Sequence, residues 1–498
     1  MSVKAVRDAL ASLLANIPMV KRPKRHVPLK TKLVFTIAIL VLYFALSNIP
    51  LFGLSPCSLD LFGRWQAIFA GQRFSLTALG VMPIIDAAII LQILAGPKIM
   101  KLDLTTQKDR TFYLNMQKLL VLCFAVLISF TYVTGFYLPD QGIASQLGVP
   151  LPVISFLLFL QVFLVGMLIY YMAEVISRWG IGSGVGLFII ASVTQQLISG
   201  LISWVPDKSG FAVGVIPRGI EIVQQVPAYE IWEGGIVFLF QQHLIALITT
   251  IALFFLLIYL WSARVELKIP GLYSGRRHGR IQFSIKFVHF TYAMIIPAVL
   301  LNLGGLLLTS IQGIGRMLYS QGITVLGTYE GNNAVSGLMY YISPIYSPWD
   351  WYPALVLPGI EGWQIAVRVA IEMSIMVAGA MITALLWLKL TPGLENRDIR
   401  IMIRKSGRQI YRYNRSIKAI RRAVDKRILK IAMFGSAVLG ALIVIADMFG
   451  TLGGVSAAYF ILAVSIVYGL YEEMSSTLTN RQKGTTRFHE INTEEIEI

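Results

Sequence analysis

The sequence predicts an all-α polytopic membrane protein, with about ten transmembrane helices in two pseudo-symmetric five-helix halves. Three observations carry this. The chain of 498 residues is 56% hydrophobic and only 14% charged, where soluble domains run near a quarter charged, and its mean hydropathy is +0.68. Its apolar residues gather into runs of the roughly 20 residues that a helix needs to cross a bilayer. Its 43 Lys and Arg fall almost wholly on one side when the number of crossings is even.

The elements follow in order. Residues 1–31 are a cytosolic amphipathic segment, with Val3, Val6, Leu10, Leu13, Leu14 and Ile17 on one helical face, suited to lying on a membrane surface. No small-residue cleavage site follows the first apolar run, so that run reads as a retained span. The first half, 32–204, holds spans at about 32–50, 75–96, 116–137, 151–172 and 184–204. An external loop covers 205–235. The second half, 236–470, holds spans at about 241–261, 287–309, 366–388, 431–448 and 454–470, and a cytosolic tail covers 471–498. The basic residues concentrate in 1–31 and in two loops, 262–286 and 389–430, the latter with 14 Lys and Arg. The positive-inside rule therefore puts both termini in the cytoplasm of a multi-pass cell-membrane protein.

The net charge of +17 is thus local. One reading of the basic loops is contact with anionic lipids. The sharper one is docking of a large phosphate-rich partner, since dense Lys and Arg gain affinity by releasing counterions from nucleic acid. Ile417, Ile420, Val424 and Ile428 repeat at helical spacing inside the longer loop.

The second and seventh spans correspond. Pro83 lies between Val81 and Ile85, and Pro297 between Ile295 and Val299. Proline removes a backbone donor, and lipid tolerates the freed carbonyl only where neighbours or a cavity satisfy it. Matched interruptions in two halves mark a repeat interface with a site between. The stretch 59–74 is too short and too polar to span. It reads either as an interfacial helix anchored by Trp65 and Arg64 or as a re-entrant helix at the mouth of a cavity. The glycines of 180–186 have no strand before them and no soluble βαβ unit around them, so they serve a tight turn and close helix packing rather than phosphate binding. Cys57, Cys123 and five scattered histidines suggest no metal site and no cofactor, and no nucleophile–base pair, HExxH or paired carboxylates suggest an enzyme. Asp86 and Glu372 are costly inside spans; Glu372 is expected to pair with Arg368 four residues earlier. A proton-coupled secondary transporter of a small solute is the competing reading.

Residues 77–94, TALGVMPIIDAAIILQIL, and 179–189, WGIGSGVGLFI, resemble the second-span and fifth-span signatures of the SecY family, the pore-forming alpha subunits of Sec protein translocons. Residues 277–280, RHGR, sit where that family carries a basic loop tip, and 327–331, GTYEG, resemble the external region of its archaeal members. The resemblance covers nearly the whole chain, in order. It implies a protein-conducting channel that passes unfolded polypeptides and releases transmembrane segments sideways. The hydrophobic pore ring would comprise Val81, Ile85, Val185, Ile189, Val299 and either Ile461 or Leu462. The plug would lie in 59–74, with Leu61, Phe62, Trp65, Ile68 and Phe69. Asp86, Gln92 and Asn302 would line the lateral gate. Arg276, Arg277, Arg280, Arg404, Lys405 and Arg408 would meet the ribosome. The implied partners are SecE/gamma-type and beta-type single-span subunits, the ribosome, signal peptides and nascent chains, and not DNA.

Overall fold

The computed structural model describes residues 20–21, 23, 27–55, 74–94, 107–135, 137–206, 210–262, 264–273, 280–286, 360–390, 417–471 and 474–475, with parts of 315–355. The chain divides into two compact units, Met1–Thr194 with Ala463–Ile498, and Gln195–Leu462.

The first unit opens with α1 (Leu29–Ser47). Val34, Ile37 and Val41 are more than half exposed on it, while Tyr43 is buried against the Phe188 ring, centroids 4.9 Å apart. A helix exposing three β-branched apolar side chains is stable where the solvent is lipid. Residues 75–81 form successive tight turns, closed by Ala78 N–H to Ser75 O at 3.0 Å and Gly80 N–H to Thr77 O at 2.8 Å. Only then does α2 (Met82–Leu94) begin. The expectation of one helix over 75–96, loosened at its proline, is corrected here. The break precedes the proline, at Gly80 with φ +53°, and Pro83 sits in the first turn of α2, where amides lack intrahelical acceptors and its missing N–H costs nothing.

The unit continues with α3 (Gln107–Gly135), α4 (Gln141–Leu147), α5 (Leu151–Trp179) and the start of α6 (Gly184–Ile202). Leu79, Ala125, Ile128, Tyr132, Ile154, Leu158 and Val162 make its apolar core. In lipid no hydrophobic force drives helices together, so close packing decides which surfaces meet. At the α5–α6 turn, a Cβ on Gly184 would lie 2.2 Å from the Ala173 carbonyl oxygen. No other residue permits this approach.

The second unit holds the rest of α6, then α7 (Val215–Gln225), α8 (Ala228–Gln241), α9 (Ile245–Ser262), α10 (Leu338–Ile342), α11 (Gly362–Leu390), α12 (Ile417–Phe449) and the first turns of α13 (Ala457–Tyr471). Strands among the described residues are confined to loops. An antiparallel hairpin pairs β1 (Arg264–Tyr273) with β2 (Arg280–Lys286), with Val265 opposite Ile285 and Leu267 opposite Phe283, and β3 (Tyr329–Glu330) pairs with β4 (Asn333–Ala334). α11 and α12 pack where Gly440 approaches the Met376 carbonyl; a Cβ there would be 2.8 Å from it.

Six of the described helices are long and apolar enough to cross a membrane, or seven if the bent pair α8–α9 is one span. The shorter α2 and α13 are apolar too. The predicted seventh span, 287–309, lies outside the described residues. The chain is an all-α polytopic membrane protein.

Candidate functional site

The predicted plug residues Leu61, Phe62, Trp65, Ile68 and Phe69 lie outside the described residues, but both flanks of that segment are described. Leu51 N–H donates to Phe74 O at 2.9 Å, and Leu76 N–H to Ile49 O at 3.0 Å. The outgoing flank is fixed again from the other side, by Ser55 N–H to Leu138 O and Asp140 N–H to Gly53 O, both 2.9 Å. Gln161 on α5 completes the clamp. Its Oε1 accepts from Phe52 N–H and its Nε2 donates to Phe52 O, each at 3.1 Å. An amide side chain bonding both backbone groups of one residue substitutes for a strand neighbour. The two flanks, 49–55 and 74–76, therefore run side by side.

The returning flank leads through the 75–81 turns to the first predicted ring residue. Ser75 and Thr77 hydroxyls lie 3.0 Å apart there, and Thr77 N–H donates to Ser75 Oγ at 3.2 Å, so this polar run satisfies itself inside an apolar core. Val81 is fully buried and Ile85 half-buried. Ile85 N–H donates to Val81 O at 3.1 Å, so the two are one helical turn apart, as the spacing predicts. On α6, Ile189 is buried and Val185 half-buried. Ile84 and Val185 line one cavity of about 530 Å³ in the first unit, with Lys118 of α3 and Glu174 and Arg178 of α5. In the second unit Ile461 and Leu462 are both buried on α13. Val299 and Asn302 lie outside the described residues, as does the side chain of Gln92; Asp86 is half-buried on α2. Of the predicted ribosome-contacting residues, the backbone of Arg280 lies in β2, and Arg276, Arg277, Arg404, Lys405 and Arg408 are outside the described residues.

Several groups that position this site have no signal in the sequence. Arg178 pairs with Glu174 at 2.5 Å, one turn apart on α5, and also donates to Val20 O. Trp179 Nε1 donates to Lys21 O at 2.9 Å. The chain ahead of the first span is thus strapped to the end of α5. Ser177 Oγ accepts from Gly184 N–H at 3.0 Å and Thr36 Oγ1 from Ile181 N–H at 3.2 Å, which fixes the glycine turn and so the start of α6.

In the second unit Asp447 caps α13. Its Oδ1 accepts from Ala457 N–H at 2.7 Å and its Oδ2 from Ser456 Oγ at 2.9 Å, a carboxylate at a helix N-terminus where the dipole favours negative charge. Trp351 Nε1 donates to Met448 O at 2.7 Å. The expected Arg368–Glu372 pairing takes another form. Arg368 donates to the carbonyls of Ser343, Asp350 and Pro344 at 3.1, 3.2 and 3.3 Å and lies over the Tyr340 ring, 5.0 Å from its centroid. Glu372 accepts from Ile345 N–H at 3.0 Å through both oxygens. The two charges clamp the 343–350 segment onto α11 instead of each other.

Within the first unit, Val81, Ile85, Val185 and Ile189 lie at helix starts or on helices, and the 56–73 stretch has both of its flanks fixed. Comparison with known proteins identifies the family. The SecY family profile matches residues 75–471, and that of the plug domain of Sec61p matches 41–73. The protein translocase subunit SecY of Archaeoglobus fulgidus is 41% identical over 481 residues, covering 95% of this chain and 96% of its own. A solved structure of a protein-conducting channel aligns with a TM-score of 0.66 at 29% identity, over 92% of this chain and 95% of the other. Sec61 in the canine ribosome–channel complex from the endoplasmic reticulum aligns with a TM-score of 0.64 at 29% identity, with the same coverage.

Proposed function

The chain belongs to the SecY family, and from that premise we propose how its own residues perform the family's work. It is a protein-conducting channel of the plasma membrane with a plug domain, and not an enzyme. In our reading the full bundle has ten spans in two five-helix halves, 32–204 and 236–470, with both termini in the cytoplasm. Val81, Ile85, Val185, Ile189, Val299 and Ile461 or Leu462 form its ring. A narrow apolar constriction dewets and so blocks ions without offering them ligands. Branched side chains part around a passing polypeptide of any sequence, whereas a polar ring would bind some substrates and leak ions. Residues 59–74 close the ring from outside. Asp86, Gln92 and Asn302 give the lateral gate a polar lining against which an apolar signal peptide exchanges into lipid.

The observation that carries this reading is the pinning of Leu51 to Phe74. It returns the plug segment to the fold seven residues before Val81, so stopper and constriction share one short rigid connection. Polar substitution at Val81 and Ile85 is expected to make the resting channel conduct ions in planar bilayers. Unchanged conductance would remove these residues from the ring.

The similarity to a channel bound to the ribosome supports docking of the ribosome on the basic loops 262–286 and 389–430, through Arg276, Arg277, Arg280, Arg404, Lys405 and Arg408. SecE/gamma-type and beta-type subunits complete the complex, and anionic lipids take the remaining basic surface. Charge reversal at Arg277 and Arg404 should abolish ribosome cosedimentation while the purified complex keeps its melting temperature.

A further inference from the structure

We propose that α7 and α8 form an anchor lying in the outer-leaflet interface of the bilayer, with lipid as its occupant. α9, Ile245–Ser262, rises about 27 Å at 1.5 Å per residue, close to the roughly 30 Å hydrocarbon thickness, so it crosses without help. α8 precedes it and leaves its line by 56°; Gly235, at φ +47° and ψ −127°, breaks α8 once more. α8 is thus surplus to the crossing. Its polar end carries Glu230 and Glu233, yet Tyr229, Trp232 and Ile236 are exposed on it, Trp232 to 86%.

α7 poses the same problem independently. One face is already used: Val215, Pro217, Arg218 and Ile222 are buried. The helix is held by Gly214 N–H to Ser203 O and Val213 N–H to Val205 O, both 2.9 Å, and by Glu221 Oε2 accepting from Ala212 N–H at 2.6 Å. A second apolar stripe, Ile216, Ile220 and Val223, is exposed at helical spacing, Val223 to 78%. A helix apolar on two faces with only one packed requires a second apolar medium.

Position selects lipid. The segment lies between the fifth and sixth spans, the side poor in Lys and Arg. Further along the chain, Ile248, Ile251 and Phe255 are likewise exposed on the membrane-crossing α9. Tyrosine and tryptophan are the side chains enriched at the membrane–water boundary, and a polar end with an apolar face is what an interface-lying helix presents. Phe240, where α8 ends, is buried against the Tyr352, Phe449 and Trp351 rings, with centroids 5.1, 6.2 and 6.3 Å away. The anchor is therefore fastened to the frame of its own unit.

The test is collision accessibility of single spin labels on the full-length chain, purified with its associated subunits and reconstituted in phosphatidylcholine–phosphatidylglycerol nanodiscs, with Cys57→Ser and Cys123→Ser as background. Labels at Val223→Cys and at Trp232→Cys should meet dissolved oxygen several-fold more than a water-soluble nickel chelate. A label at Gln225→Cys, across α7, should show the reverse. Nickel-dominated collisions at 223 and 232 would put the stripe in water and overturn the proposal. Shielding from both reagents would overturn it too, by showing a protein occupant, either a small subunit or a second copy. Each labelled site is exposed, and each decides the question alone.

Discussion

Replacing Arg368 by Met should loosen the 343–350 segment by about two orders of magnitude in its opening equilibrium. Arg368 is 7% exposed, and its guanidinium makes three hydrogen bonds to carbonyls between 3.1 and 3.3 Å. At the low end for charged donors, about 1.5 kcal/mol each, these give roughly 4.5 kcal/mol. The Tyr340 ring at 5.0 Å adds about 0.5–1 kcal/mol. Against this, methionine no longer requires a cation to be desolvated, and the half-buried carbonyls regain some water, which returns about 1–2 kcal/mol. The smallest net loss is about 3 kcal/mol, near 100-fold at 1.4 kcal/mol per decade. The Ile345 amide, held by Glu372 at 3.0 Å, reports on this opening directly. Its hydrogen-exchange protection should fall about 100-fold in Arg368→Met and about tenfold in Arg368→Lys, since an ammonium cannot match three fixed donors, while amides of α5 stay unchanged. A change under threefold in the methionine variant would show that the clamp is held by packing and that the charge contributes nothing.

Other outcomes are equally specific. Gly184→Ala should push α6 off α5 and lower the thermal midpoint of the purified complex by several degrees, whereas Gly219→Ala, where a Cβ meets open space, should leave it unchanged. Asp447→Ala should cost about 1–2 kcal/mol through loss of the α13 cap, read as a lowered unfolding midpoint in detergent, with Asp447→Asn recovering part of it.

Six of the predicted spans were legible because length and hydropathy are local properties that the bilayer enforces. The glycine turn at 180–186 was legible for a related reason: four glycines beside two apolar runs admit few structures. What failed to show in the sequence is long-range. Nothing near Gln161 announces that its amide holds Phe52, 109 residues away, and nothing near Trp351 announces Met448. Arg368 and Glu372 sit one turn apart, so local reasoning paired them. The structure gives each a backbone partner because the incoming loop offers three carbonyls and an amide that would otherwise be unsatisfied. The start of α2 was misplaced because 75–81 is as apolar as a helix, and only the left-handed Gly80 ends the ambiguity. The helices of the 205–235 loop escaped because hydropathy cannot separate an oblique apolar segment from the crossing it joins. The β1–β2 hairpin lay inside a stretch read only for its charge. Of the candidate site, the ring positions rest on the family resemblance, while the anchoring of the plug ends was invisible.

That anchoring sets a limit on how the channel recovers after each use. The segment between the fixed ends is eighteen residues, 56–73. Running out and back, it can reach no more than about 30 Å from its moorings at roughly 3.4 Å per residue. A displaced stopper on so short a leash stays at an effective concentration in the millimolar range. Reclosure is then a first-order event that begins the moment a polypeptide clears the pore. Its rate does not depend on how many channels the membrane holds.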